Sequence, residues 1–192
     1  MVEATIEVIH RKGYDAASTA LIAARAGVSR GAILHHFGTR AALMAQVVDT
    51  VFQREWRQYG ALLALGEVGH RVWDWPTILW NVLSQPSGLA VLDILQAANS
   101  DPELAKDVRA TQISVEAFAI QGMRAGLGGT EQEALTVMRL MVWAVRGLSM
   151  ADRFMPNPAA TRSAVDLLSR MLRIAAPAGQ IPELTANFED EL

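Results

Sequence analysis

Apolar positions along this chain recur at threes and fours rather than at twos, so the pattern predicts helices from end to end and no strand. Val2, Ile6 and Ile9 make the stripe of a first helix that ends at Gly13. Leu21, Ile22 and Ala26 belong to a second, Gly27 breaks it, and Ile33 with Phe37 stand one turn apart on a third. Gly27 suits the left-handed residue that closes a helix, Val28 is expected to plug the space between helices, and Ser29 to cap the next one. This is the layout of a helix-turn-helix. Thr39 then caps a longer helix from Arg40 to about Tyr59, with Leu43, Val47, Val51 and the Val48/Phe52 pair apolar.

Beyond Gly60 the period loosens as far as Trp75, and a loop with helical pieces is expected there. Pro76 and Pro86 each suit a first helical turn, the first helix reaching Leu83 and the second about Ala98. Leu89, Val91, Leu92, Ile94 and Leu95 make that second one apolar on most sides, the mark of a buried helix. Ser100-Asp101-Pro102-Glu103 has capping-box spacing and opens a helix to about Gly126, with Leu104, Val108, Val115 and Phe118 expected inward. Thr130 and Glu133 form a second capping box, ahead of a stripe of Leu135, Met138, Val142, Val145 and Leu148 that runs to about Phe154. Asn157-Pro158 opens a last helix with Val165, Leu168, Leu172 and Ala175 on one face, stopped by Pro177 and Gly179.

The fold class is therefore all-α, with an N-terminal three-helix helix-turn-helix domain over residues 1–42 and a helical bundle over 43–178. Residues 179–192 are acidic and aperiodic, and a flexible tail is expected.

On a helical wheel started at Arg30, Ile33 and Phe37 fall on one side, and Gly31, Ala32, His35 and His36 on the other. The second face is the one a duplex would meet. Small residues at 31 and 32 allow close approach, Arg30 can fork onto guanine or a phosphate, and both histidines can donate to acceptors. Charge agrees: through Gln58 the chain has seven Lys or Arg against five Asp or Glu, whereas the remainder has ten against fifteen. Between residues 11 and 40 five cations face the single Asp15, a distribution that suits either a phosphate-facing surface or an ordinary solvated one.

Gly13-Tyr14, Ser18-Thr19, Ile22-Ala23, Ala26-Gly27-Val28-Ser29, Gly31, His35, Phe37, Arg40 and Leu43 together resemble the DNA-binding domain of TetR-family transcriptional regulators. The resemblance covers about a quarter of the chain. It implies that Ser18 and Thr19 anchor phosphate, that Ser29, Arg30, Gly31, Ala32, His35 and His36 present the reading surface, and that Arg40 holds a phosphate. Two positions depart from the family's pattern: Leu34 stands where members usually carry a Tyr that reaches the DNA backbone, and Arg40 where they often carry Lys. The family's pattern also extends a helical turn or two, and an arm, ahead of the position of Met1.

The same resemblance implies a homodimer in which the last two helices pair with their copies, and it places Met138, Val142, Val145, Val165, Leu168 and Leu172 at that interface. Burial inside their own bundle is the other reading of these stripes. A small apolar or amphipathic effector is implied for the bundle, where Trp73, Trp75, Trp80, Phe118, Met123, Met141, Trp143 and Phe154 either line a cavity or simply fill the core.

Catalysis finds no support. There is no Gly-x-Ser-x-Gly elbow, no phosphate-cradling Gly-x-x-x-x-Gly-Lys loop and no cysteine. His35 and His36 project about 100° apart on a helix and cannot chelate one metal together, so neither metal nor cofactor is expected. No apolar run approaches a membrane span by inspection, and the absence of cysteine agrees with a reducing compartment, so a cytoplasmic protein with no membrane partner is expected. The reading is a regulator, and in particular a ligand-released repressor on a near-palindromic double-stranded operator. The alternative is a helical small-molecule- or partner-binding protein whose helix-turn-helix no longer reads DNA.

Overall fold

The computed structural model describes residues 1–64 and 69–186. Among them the chain is all-α: α1 Val2–Lys12, α2 Thr19–Ala26, α3 Arg30–Phe37, α4 Arg40–Ala64, α5 Trp75–Leu83, α6 Pro86–Ala97, α7 Pro102–Leu127, α8 Glu131–Phe154, α9 Pro158–Ala175 and α10 Ile181–Thr185. A 3-10 turn, Val72–Asp74, precedes α5.

The helices divide between two compact units, the first comprising Met1–Trp56 with Ser84–Val115 and the second the described residues of 57–83 and those from Glu116 onward. In the first unit, α1 packs on α2 and α6, and α2 packs on α3. Ile9, Ile22, Ile33, Leu43, Met44, Val47, Val48, Ile94 and Leu104 are buried in one continuous core. Each such side chain contributes about 1.5–3 kcal/mol relative to exposure, and together they hold the short α2 and α3, which are too brief to be stable alone.

In the second unit α5 lies against α8 and α9, and α10 closes over both. Ile78, Leu79, Met123, Leu127, Val137, Met141, Val145, Val165, Leu172 and Ile181 are among its buried apolar side chains. Length and hydropathy of α8 reach those of a membrane span, contrary to the expectation that no stretch does. Core helices pass the same test, and α8 packs on α5, α9 and α10.

Several local expectations need correction. Gly60 does not end α4, which continues through it to Ala64, and Gly66 lies outside the described residues. The helix after Ser100 is capped by Asp101, whose Oδ1 accepts from the Leu104 N–H at 3.0 Å, while Ser100 donates to the Ala97 carbonyl. Phe118 is 49% exposed rather than inward. The buried apolar stripe of α8 is Ala134, Val137, Met141 and Val145; Val145 was expected there, whereas the first three replace Leu135, Met138 and Val142, one residue further on. Residues 181–185 form α10 where a tail was expected, because Gln180 and Glu183 make a capping box and Ile181 is fully buried. Residues 187–192 lie outside the described ones.

Candidate nucleic-acid interface

Ser18 begins α2 by accepting the Leu21 N–H on its hydroxyl at 3.2 Å, and Ser29 begins α3 by accepting that of Ala32 at 3.0 Å. Between them Gly27 takes φ 68° and ψ 29°, and its N–H reaches the carbonyls of Ala23 and Ala24. That left-handed geometry is costly for any residue with a Cβ, and it turns the chain sharply enough to lay α3 across α2. Ile22 and Ile33 are fully buried on the inner faces of the two helices. Val28 is not the plug it was expected to be, since at 38% exposure it lies outside. Turn geometry directs it outward, and the buried isoleucines fill the joint without it.

With Ile33 fixed inward, the opposite face of α3 is settled by the helical period. Arg30, Gly31, Ala32, His35 and His36 are all exposed, as are Ser18 and Ser29, while Thr19 is half-buried. Arg30 and His35 have no hydrogen bond or ion pair among the described residues. The His36 ring rests edge-on against Phe37, with centroids 4.5 Å apart, which orients it without consuming its nitrogens. A Cβ at Gly31 would touch nothing nearer than the Ser29 hydroxyl at 3.7 Å. Nothing among the described residues therefore demands glycine at 31. Leu34 is also exposed, an apolar side chain at the edge of this polar face.

The remaining cations are more engaged than a charge count suggests. Arg25 and Arg11 both pair with Glu7 of α1. The hydrogen bond from Arg25 holds the Glu7 carboxyl below its ordinary range and lifts the guanidinium correspondingly. Arg40 reaches back across the unit, donating from Nε to the Ala17 carbonyl at 3.1 Å and from Nη2 to the Tyr14 carbonyl at 2.6 Å. Its guanidinium lies over the Tyr14 ring, and burial pushes that phenol's pKa up, so the ring stays neutral beneath the cation. Arg40 thus braces the turn that delivers Ser18 to α2. Those two bonds leave Nη1 and the second N–H of Nη2 as its remaining donors.

Residues 1–47 match the family model described as bacterial regulatory proteins, tetR family. The chain belongs to the TetR family of transcriptional regulators. An HTH-type transcriptional regulator of Mycobacterium tuberculosis is 25% identical over 181 residues, 90% of each chain. The HTH-type regulator CymR of Pseudomonas putida is 25% identical over 161 residues, covering 78% of this chain and 76% of CymR. Among solved structures, a transcriptional regulator of Rhodococcus sp. Rha1 superposes with TM-score 0.62 at 26% identity, covering 90% of this chain and 94% of that one. The multidrug binding protein EbrR, complexed with ethidium, shares the fold with TM-score 0.62 at 22% identity over 89% of this chain and 95% of its own. As a TetR-family regulator the chain is a DNA-binding protein rather than an enzyme.

The other expected sites of this regulator lie in its second unit. Met123 and Met141 are buried and Trp75 and Trp80 half-buried, whereas Phe118 and Trp143 lie about half exposed. Trp75 donates from its indole to the Gly69 carbonyl at 3.2 Å, and its ring faces Tyr59 with centroids 6.0 Å apart. Of the expected dimer positions, Val145, Val165 and Leu172 are buried within their own chain, and Met138, Val142 and Leu168 are half-buried. The large apolar side chains that α8 and α9 leave outside are Leu140, Trp143, Met150 and Phe154 on one and Leu167, Met171 and Ile174 on the other.

Proposed function

We propose that this TetR-family regulator is a repressor that binds a near-palindromic operator as a homodimer in the cytoplasm, and that a small apolar or amphipathic effector releases it. The observation that carries the reading is the outer face of α3. Arg30, Gly31, Ala32, His35 and His36 stand exposed on a helix whose inner face is anchored by Ile33, and nothing among the described residues demands glycine at 31. In this reading Arg30 and the histidines meet base edges in the major groove, Ser18 and Thr19 meet phosphate, and the Nη1 of Arg40 adds one backbone contact.

Dimerisation is supported by the exposed apolar residues of α8 and α9, spaced three, seven and four residues apart on α8 and four and three apart on α9, so that each set shares one side of its helix. They take the place of Val145, Val165 and Leu172, which are already engaged inside the chain. Two reading helices about 34 to 36 Å apart would then address successive major grooves on one side of the duplex. Effector release is supported by the shared fold with EbrR in its ethidium complex, and by Met123 and Met141 among the aromatic side chains of the second unit. By linkage, an effector that weakens operator binding is itself bound more weakly by the operator complex, by the same factor.

A second reading is favoured by Arg11, Arg25 and Arg40 having partners inside the chain and by the apolar Leu34. Here the helix-turn-helix supports the fold and reads nothing. Selection of fragments from genomic DNA by the full-length protein, followed by a salt titration of the enriched sequence, separates the two. Enrichment of a palindromic sequence is the expected outcome. Recovery of unrelated fragments that dissociate alike with rising salt would favour the second reading.

A further inference from the structure

Arg71 and Arg173 come from distant parts of the chain, yet both guanidiniums lie over the ring of Trp73, at 5.4 and 5.2 Å from its centroid. Together with Pro177 and Ala178 these three residues line an open cleft of about 460 Å³. We propose that the two arginines form a site for the oxyanion of a soluble small molecule, a carboxylate or a phosphate. Of the side chains expected to line an effector cavity, Trp73 borders this cleft, but the proposal rests on the two arginines and stands independently of DNA reading and of effector release.

Three observations support it. The first is charge. Two like charges gathered at one ring repel each other, and neither has an ion pair among the described residues. Carboxylates in the adjoining turns are engaged elsewhere: Asp74 accepts the Gly69 N–H at 3.0 Å, and the two oxygens of Glu183 accept those of Ala178 and Gln180 at 2.8 Å each. Attraction between the Glu183 carboxylate and the guanidiniums is weakened by that commitment. The negative end of α9 attracts Arg173, but it leaves Arg71 unexplained.

The second is fixation. Gly179 takes φ 86°, and a Cβ there would lie 2.8 Å from the Cβ of Arg71 and 2.9 Å from its Cγ. Only glycine permits this approach, in which the turn after α9 lies flat on the stem of Arg71. The Val72 N–H donates to the Gly179 carbonyl at 2.9 Å and ties the two segments together. Arg71 is thus held beside the helix that carries Arg173, which lowers the entropy lost when both grip one anion.

The third is donor geometry. A guanidinium that lies over an indole without bonding to it keeps its N–H groups free to fork onto an oxyanion, and Trp73 itself is almost wholly buried. Two such forks over one ring suit a group with two or three oxygens better than a neutral ligand.

The test is calorimetric titration of the full-length protein with inorganic phosphate, and separately with citrate, at ionic strength held constant with sodium chloride. Saturable binding of one or the other at one site per chain is expected, and which probe binds distinguishes phosphate from carboxylate. Arg71→Gln and Arg173→Gln should each weaken it about tenfold, the loss of one charge-assisted interaction. Melting curves without oxyanion identify any variant that fails to fold, in which case the other variant decides. No saturable binding of either probe overturns the site, as does binding that survives either folded substitution undiminished.

Discussion

The guanidinium carbon of Arg40 lies 4.1 Å from the centroid of the Tyr14 ring, and the same side chain donates to the carbonyl of Tyr14 and to that of Ala17. A residue at the start of α4 thereby holds the turn between α1 and α2. Arg40→Ala should destabilise the N-terminal unit by about 1–3 kcal/mol, the range for losing hydrogen bonds from a charged donor. Arg40→Lys should not restore it, because an ammonium cannot fork onto two carbonyls while lying flat on a ring. Denaturant melts check this. Unchanged stability with a flattened salt dependence of DNA binding would mean that Arg40 acts chiefly on phosphate.

Arg30 has no such duty within the chain. Arg30→Ala should leave the melting curve unmoved and cost about 1–3 kcal/mol of specific binding, relaxing choice at one base position in each half-site. Affinities for single-base variants of the selected operator give the answer. Uniform weakening across all of them would move Arg30 from base reading to the backbone.

At 81% exposure, Ile174 can be charged without disturbing the interior of its own chain. Ile174→Glu should therefore keep its helical circular dichroism yet sediment as a monomer, since an unpaired ion buried in an interface costs several kcal/mol, often about 3–5. Leu140→Glu should do the same from α8. If both variants sediment as dimers, the outer face of these helices is not where the copies meet.

Glu133 makes α10 sensitive to acid. One of its oxygens accepts the Thr130 N–H at 2.7 Å and the other accepts the Thr185 hydroxyl, and the first of these is the larger cause of a carboxyl pKa below its ordinary 4.5. A carboxylate with a lowered folded pKa contributes stability that is fully present above its unfolded value and is lost as pH falls through the folded one. Protection of the α10 amides, measured against their intrinsic exchange rate at each pH, should thus fall in acid. Glu133→Gln should show the acid behaviour already at neutral pH, and equal protection in the two proteins at neutral pH would remove Glu133 as the latch.

The outer face of α3 was legible because Ile33 and Phe37 fix its phase and, Leu34 apart, the other residues of the helix are polar or small. On α8 the phase was ambiguous: Leu135, Val137, Met138, Leu140, Met141 and Val142 surround the helix with apolar groups, so period alone could not say which stripe meets its own chain. The role of Arg40 was hidden for a different reason. A cation beside a DNA-reading motif suggests phosphate, and the carbonyls it actually holds lie more than twenty residues earlier in a turn with no pattern of its own. The gathering of Arg71 and Arg173 at Trp73 depends on Gly179, whose need for glycine becomes visible only once the turn after α9 is seen against Arg71.

The packing of α1 against α6 bears on how this reader could be transplanted into another regulator. Val91 and Ile94, in the middle of the chain, share one core with Ile6, Ile9 and Val48. A chimaera that carries only residues 1–56 would replace that apolar floor with whatever the recipient supplies, exposing α1 to solvent or to a mismatched surface. The portable module is discontinuous: the graft has to bring Ser84–Val115 along.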